Sequence, residues 1–133
     1  MYNRGMGVEV DHAKAMELYN KAAKQGYAQA QCNLGCMYDN GLGVEVDYAK
    51  AMELFQKAAE QGYVGAQYNL GLMYEKGQGV KQDYLEAHKW FNIAGMNGNE
   101  IGRRNADIVG KKMTPGQIIV ASGRARKWQK KIV

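Results

Sequence analysis

Proline is almost absent from this chain: Pro115 stands alone among 133 residues, against 17 glycines. A chain so poor in proline and free of low-complexity stretches must mark its turns with glycine instead. Cysteine is scarce too. Cys32 and Cys36 are too few to staple a small secreted domain, so the core has to come from packing, and the compartment stays open. Long apolar runs are missing. Stretches such as Ile118 to Ala121 fall far short of the roughly 20 residues that cross a bilayer. The N-terminus has no charged start followed by an apolar run and a small-residue cleavage site, so no secretory signal is read there. What is present has the balance of a soluble globular protein, with 46% hydrophobic and 23% charged residues, which excludes disorder. The length is one domain's worth, which argues against an enzyme with separate cofactor and substrate lobes.

The dominant signal is internal repetition. Shifted by 36 positions, residues 5–40 align with residues 41–76 at 25 identities. The best block, Gly7 to Leu18, recurs almost unchanged at Gly43 to Leu54. A third, diverged copy keeps Gly77, Gly79, Val80, Asp83, Tyr84, Ala87, Phe91, Ala94, Gly98 and Asn105, and runs over residues 77–112. A fixed period of this length is the mark of a stacked-repeat architecture.

Each period holds two helical patterns. Asp47 is suited to cap a helix in which Ala51, Leu54, Phe55 and Ala58 form one apolar stripe and Gly62 supplies the stop. A second helix carries Ala66, Leu70, Met73 and Tyr74 and ends at the Gly77, Gly79 pair. Equivalent helices are expected from Asp11 to Gln25, from Ala28 to Asp39, and from Asp83 to Asn97, the last opening with Asp83 and Glu86 as a capping box. Thr114, Pro115 and Gln117 read as the start of a further helix, with Thr114 at the N-cap. Helices of about 12 to 15 residues are marginal alone and must bury their stripes against neighbours. Small residues at Ala22, Ala23, Ala58, Ala59, Gly35 and Gly71 allow close antiparallel packing. The expected fold is all-α: an α-solenoid of antiparallel helix pairs, about seven helices in all, closed by C-terminal capping helices.

The run Ala66-Gln-Tyr-Asn-Leu-Gly-Leu-Met-Tyr74, then Gly77-x-Gly79-Val80, then Asp83-Tyr84, resembles the Sel-one-like repeat, a branch of the tetratricopeptide-type helical repeats with a 36-residue unit. The resemblance covers residues 1–98, with a partial first unit; residues 99–133 depart from it and look like closing helices. It implies a non-catalytic scaffold that binds a protein or peptide partner. Met1, Tyr2, Gly5 and Gly7 align with Met37, Tyr38, Gly41 and Gly43. The chain is therefore expected to begin near the end of a truncated helix, and localisation stays unassigned. The helix from Asp11, with Ala15, Leu18, Tyr19 and Ala22 on one flank, is expected to favour self-association.

No residue set promises catalysis. Cys32 and Cys36 lie one helical turn apart, where Cβ atoms are about 5 to 6 Å apart rather than the roughly 3.8 Å of a disulfide. They read as apolar fillers or groove-lining thiols. His12 and His88 lack metal-ligand company, and no paired carboxylates sit in an apolar setting. The Gly-x-Gly pairs lack the preceding strand of a phosphate loop. No cofactor, metal or small-molecule substrate is expected.

Two surfaces invite a partner. Asn33, Asn69 and Asn105 recur at one repeat position although asparagine is a mediocre helix former. Either they hydrogen-bond the backbone of an extended peptide in a concave groove, or they satisfy turn and inter-helix groups. The groove candidates are Gln29, Asn33 and Cys36 in one unit and Tyr68, Asn69, Leu72 and Lys76 in the next. The second surface is the tail. Residues 1–98 hold nine basic and eleven acidic residues, a net charge of −2, whereas residues 99–133 hold nine and two, a net +7. In the last helix Ile118, Ala121, Ala125 and Trp128 make the apolar stripe, and Arg124, Arg126, Lys127, Lys130 and Lys131 make a basic side. Such a helix either caps the solenoid or binds nucleic acid or an anionic membrane.

Overall fold

A computed structural model describes residues 11–132, with side chains described as far as Lys130. Among the described residues there are seven helices and no strand: α1 (His12–Lys24), α2 (Ala28–Asn40), α3 (Tyr48–Glu60), α4 (Val64–Lys76), α5 (Tyr84–Met96), α6 (Glu100–Gly110) and α7 (Pro115–Ile132). None of them is long and apolar enough to cross a membrane. Each of the first six packs chiefly on its immediate neighbours in sequence, whereas α7 returns to lie on α5. This is the α-solenoid expected, with its nearest-neighbour logic. The segment Met1–Gly7, read above as the end of a truncated helix, lies outside the described residues.

The helix boundaries follow from the side chains that meet the first and last turns. Carboxylates of Asp11, Asp47 and Asp83 accept from the backbone amides of Lys14, Lys50 and Glu86 at 2.9, 3.0 and 3.2 Å, each capping a helix start. Thr114 and Gln117 make the reciprocal bonds of a capping box, at 2.9 and 3.1 Å. The box expected at α5 does not close. The Asp83 amide donates instead to the Tyr74 carbonyl at 3.0 Å, and Glu86 turns aside to Lys89 and Arg124, at 3.0 and 3.3 Å. Two cations hold that carboxylate more strongly than one amide already satisfied elsewhere would.

Glycine does its work at two kinds of place. Gly43, at φ 76°, lies so close to the start of α1 that an added Cβ would fall 2.5 Å from the Cβ of His12. In mid-helix, Gly35 and Gly71 form notches into which the rings of Phe55 and Phe91 sink, and an added Cβ would come within 2.8 and 2.5 Å of them. Phe55, Phe91, Leu70, Met73 and Trp90 are buried around these notches. The repeat position after Gly35 and Gly71 is Asp107, on the exposed side of α6. With no notch on α6, α7 packs on α5, burying Ala121 and Ala125. There Trp128 sets its edge against Trp90 at 5.1 Å between ring centroids.

A second ladder, of long polar side chains, begins at the buried Gln31 and Gln67 and ends at the exposed Arg103. Gln31, Gln67 and Arg103, spaced 36 residues apart, donate to the carbonyls of Ala23, Ala59 and Gly95 at 3.4, 3.4 and 2.8 Å. Gln61 and Asn97 lock onto Gln31 and Gln67 at 2.9 and 3.0 Å, and Gln129 of α7 joins Asn97 at 2.7 Å. Each carbonyl bond of the ladder gives a second donor to a last-turn carbonyl of α1, α3 or α5 that already accepts the amide of Gly26, Gly62 or Gly98, at 2.9, 2.9 and 3.1 Å.

Candidate functional site

The face built from α2, α4 and α6 carries the repeated asparagines. Their spacing sets Asn69 and Asn105 against the equivalent helix of the preceding unit, α2 and α4. The Asn69 amide nitrogen donates to the sulfurs of both Cys32 and Cys36, each at 3.7 Å, and that of Asn105 donates to the Tyr68 hydroxyl at 3.4 Å. Asn33, in the first copy, makes no side-chain hydrogen bond among the described residues, and the carbonyl oxygens of Asn69 and Asn105 accept none there. Of the two roles that the sequence left open, the inter-helix one is filled at Asn69 and Asn105. Their nitrogens tie neighbouring helices, and their oxygens remain available.

The seven groove candidates all fall on α2 and α4, but not in one continuous trough. Gln29 and Asn33 border a cleft of about 500 Å³ between α1 and α2 with Leu18, Tyr19 and Tyr27. Asn33 and Cys36 border a second cleft of about 260 Å³ with His12 and Tyr19. Tyr68 and Leu72 are half-buried and pack against Phe91, Ala106 and Val109, with the Tyr68 and Phe91 rings 5.7 Å apart. They belong as much to the core between α4 and α6 as to an open surface. Lys76 is exposed, and its charge offsets the burial that raises the Asp39 carboxyl above its usual range. On α6 the same face is apolar and open, with Ile101 and Ile108 at 58% and 51% exposure.

Both cysteines are free thiols. Cys32 is buried in the core cluster and Cys36 is half-buried. Their proximity on one turn of α2 separates their acidities. The Cys36 thiol is lowered to about 7, first by the neighbouring Cys32 thiol, while that same proximity and burial push Cys32 up.

In the tail, Arg124 pairs with Glu86, while Arg126 and Lys130 border a cleft of about 400 Å³ with Met96 and Gln129. Lys127 is exposed, and the Lys131 side chain lies outside what the structure describes. The apolar stripe of α7 faces α5, which leaves Arg126, Lys127 and Lys130 on its exposed side. Among the described residues, no group of three or more His, Cys, Asp or Glu is placed to hold a metal ion.

Two features escaped the sequence reading. One is the Gln31, Gln67, Arg103 ladder, whose first two members repeat at one position while the third departs from it. His88 is 6% exposed, and its Nδ1 has no hydrogen-bond partner. Met16 and Met52 at the equivalent positions mark that place as apolar.

Comparison with known proteins places these observations. A family model described as the Sel1 repeat matches residues 1–27, 28–63 and 64–99. Each complete match pairs α2 with α3 or α4 with α5, so the asparagine helices come first in their units. A protective antigen of uropathogenic Escherichia coli strains, displaying an SLR fold, superposes with a TM-score of 0.89 at 35% identity, over 96% of this chain and 28% of that one. A Sel1 repeat protein from Oxalobacter formigenes superposes with a TM-score of 0.74 at 32% identity, over 86% of this chain and 46% of that one. This chain therefore spans less than half of either neighbour. No curated protein matches it.

Proposed function

This chain belongs to the Sel1 repeat family, whose members generally act as protein-interaction scaffolds, and from that premise we propose that it binds a protein or peptide partner without catalysing a reaction. The binding face is that of α2, α4 and α6, taken as the concave side of the stack. The observation that carries this reading is the row of Asn33, Asn69 and Asn105, whose oxygens accept no hydrogen bond among the described residues while two of their nitrogens are used between helices. An extended peptide has backbone amides to offer such acceptors at regular intervals. Gln29, Cys36, Tyr68, Leu72 and Lys76 complete the surface. Residues 1–98 serve as the array and residues 99–133 as its closure.

The test is a selection of extended peptides against the wild-type chain, followed by measurement against Asn33→Ala and Asn69→Ala. The expected outcome is about tenfold weaker binding, the equivalent of one or two lost hydrogen bonds, with the unfolding midpoint little changed. Lost stability with retained binding would assign the amides to the scaffold alone. Affinity for such a peptide should change little between about 50 and 200 mM salt. Binding driven by the basic side of α7 would instead fall by orders of magnitude over that range.

Self-association through α1 belongs to the same proposal. No α1 residue is buried, and Leu18 is 55% exposed beside half-buried Ala15, Tyr19 and Ala22. Sedimentation equilibrium should show a dimer that grows with concentration and disappears in Leu18→Glu; a monomer throughout rejects it.

A further inference from the structure

The two sulfurs of α2 sit in a setting that favours a thiolate at one of them. Asn69 sends its amide from the neighbouring helix to within 3.7 Å of each sulfur, and an N–H donor stabilises the anion more than the neutral thiol. The two sites differ in access. Cys32 is 5% exposed, while Cys36 lines the α1–α2 cleft of about 260 Å³ with His12, Ala15, Tyr19, Asn33 and Met37. The neighbouring Cys32 thiol, and then the Asn69 amide, lower Cys36 to about 7, against burial and the Asp39 charge, which both raise it. The other polar groups nearby are His12 and Tyr19 from α1, Tyr48 from α3 at the core cluster around Cys32, and Lys76 from α4, which faces Asp39.

We propose that Cys36 is a covalent modification site, whose thiolate attacks a low-molecular-weight disulfide and carries the resulting mixed disulfide in the cleft between α1 and α2. The step is a displacement at sulfur. The Cys36 sulfur forms a new bond to one sulfur of the reagent, the reagent's own S–S bond breaks, and the electron pair leaves on the departing thiolate. Cys36 is oxidised and the leaving sulfur reduced, with no other reactant. Attack is fastest for a thiol that ionises near the ambient pH. The adduct also persists. Cys32 would have to reach the Cys36 sulfur to expel it, but the pair stands at helical i, i+4 spacing, about 5 to 6 Å between Cβ atoms, where a disulfide needs about 3.8 Å. Cys32 is moreover buried and held protonated. The adduct lies beside Asn33, so it blocks the face described above. That consequence rests on the proposed partner binding; the modification itself does not.

The test uses the full chain with oxidised glutathione and, separately, cystamine, read by intact mass and peptide mapping in wild type, Cys32→Ser, Cys36→Ser and Asn69→Ala. The expected product is one adduct per chain, on Cys36, formed at least about tenfold faster than in the urea-unfolded chain at the same pH. Its rate should rise with a midpoint near 7. Cys36→Ser abolishes it, Asn69→Ala moves the midpoint upward, and Cys32→Ser, which keeps a donor, stays reactive. A rate equal to that of the unfolded chain, a midpoint at the ordinary thiol value of about 8.5, or a Cys32–Cys36 disulfide as the product overturns the proposal. An adduct that forms as described but leaves peptide binding unchanged counts against the groove and not against the thiol.

Discussion

His88 shows how one side chain sets a pH limit on the whole fold. Burial lowers its imidazole below the usual histidine range, opposed only by the Asp107 charge, and its Nδ1 has no partner. The folded chain therefore prefers neutral His88. Above about pH 6.5, the ordinary value, the ring is neutral in both folded and unfolded states. Below it the unfolded chain takes up a proton that the folded chain resists, so stability falls as pH falls. Urea unfolding at pH values from about 7.5 to about 5 should show this loss in wild type and a smaller one in His88→Met, which restores the residue found at positions 16 and 52. Equal losses in both would reject it. At this scale the sequence is legible only in part. The asparagine row stood out because asparagine is unusual inside a helix. The glutamine row was overlooked because glutamine is an ordinary helix former, and only its burial against the Ala23 and Ala59 carbonyls gives it away.

Elements were read more surely, since each is bounded by chemistry that acts within a few residues. Asp11, Asp47 and Asp83 start their helices as their carboxylates require, and Gly26, Gly62 and Gly98 end theirs at φ 92°, 87° and 101°. The capping box at α5 failed because Glu86 is drawn off by Lys89, within the same helix, and by Arg124, 38 positions away. The same distance hid where α7 would dock. Its apolar stripe of Ile118, Ala121, Ala125 and Trp128 was plain in the sequence, but the landing site on Trp90 and Asn97 was not. Trp128→Ala should cost about 2 kcal/mol, less than the 3 to 5 of a fully buried ring, because Trp128 is only half-buried. Chemical unfolding with a matched loss of protection in α5 checks this; a change under about 0.5 kcal/mol would mean that α7 is not a structural cap.

At the scale of the molecule, contacts between successive helices make stability graded along the chain. The burial pattern sets the direction. No residue of α1 is buried, whereas α5 buries Ala87, His88, Trp90, Phe91, Ile93, Ala94 and Gly95 between α4, α6 and α7. Native-state hydrogen exchange should therefore be fastest in α1 and slowest in α5; uniform protection would mean one all-or-none unit. The period and the fold class could be read in advance because a repeat states its own neighbours. What each face meets could not, since the units are alike and only their order separates them. Asp107 shows what that order decides. A vertebra spliced in after residue 99 would find the same sockets as its siblings, whereas one welded on beyond α6 would bring an aromatic ring to a carboxylate.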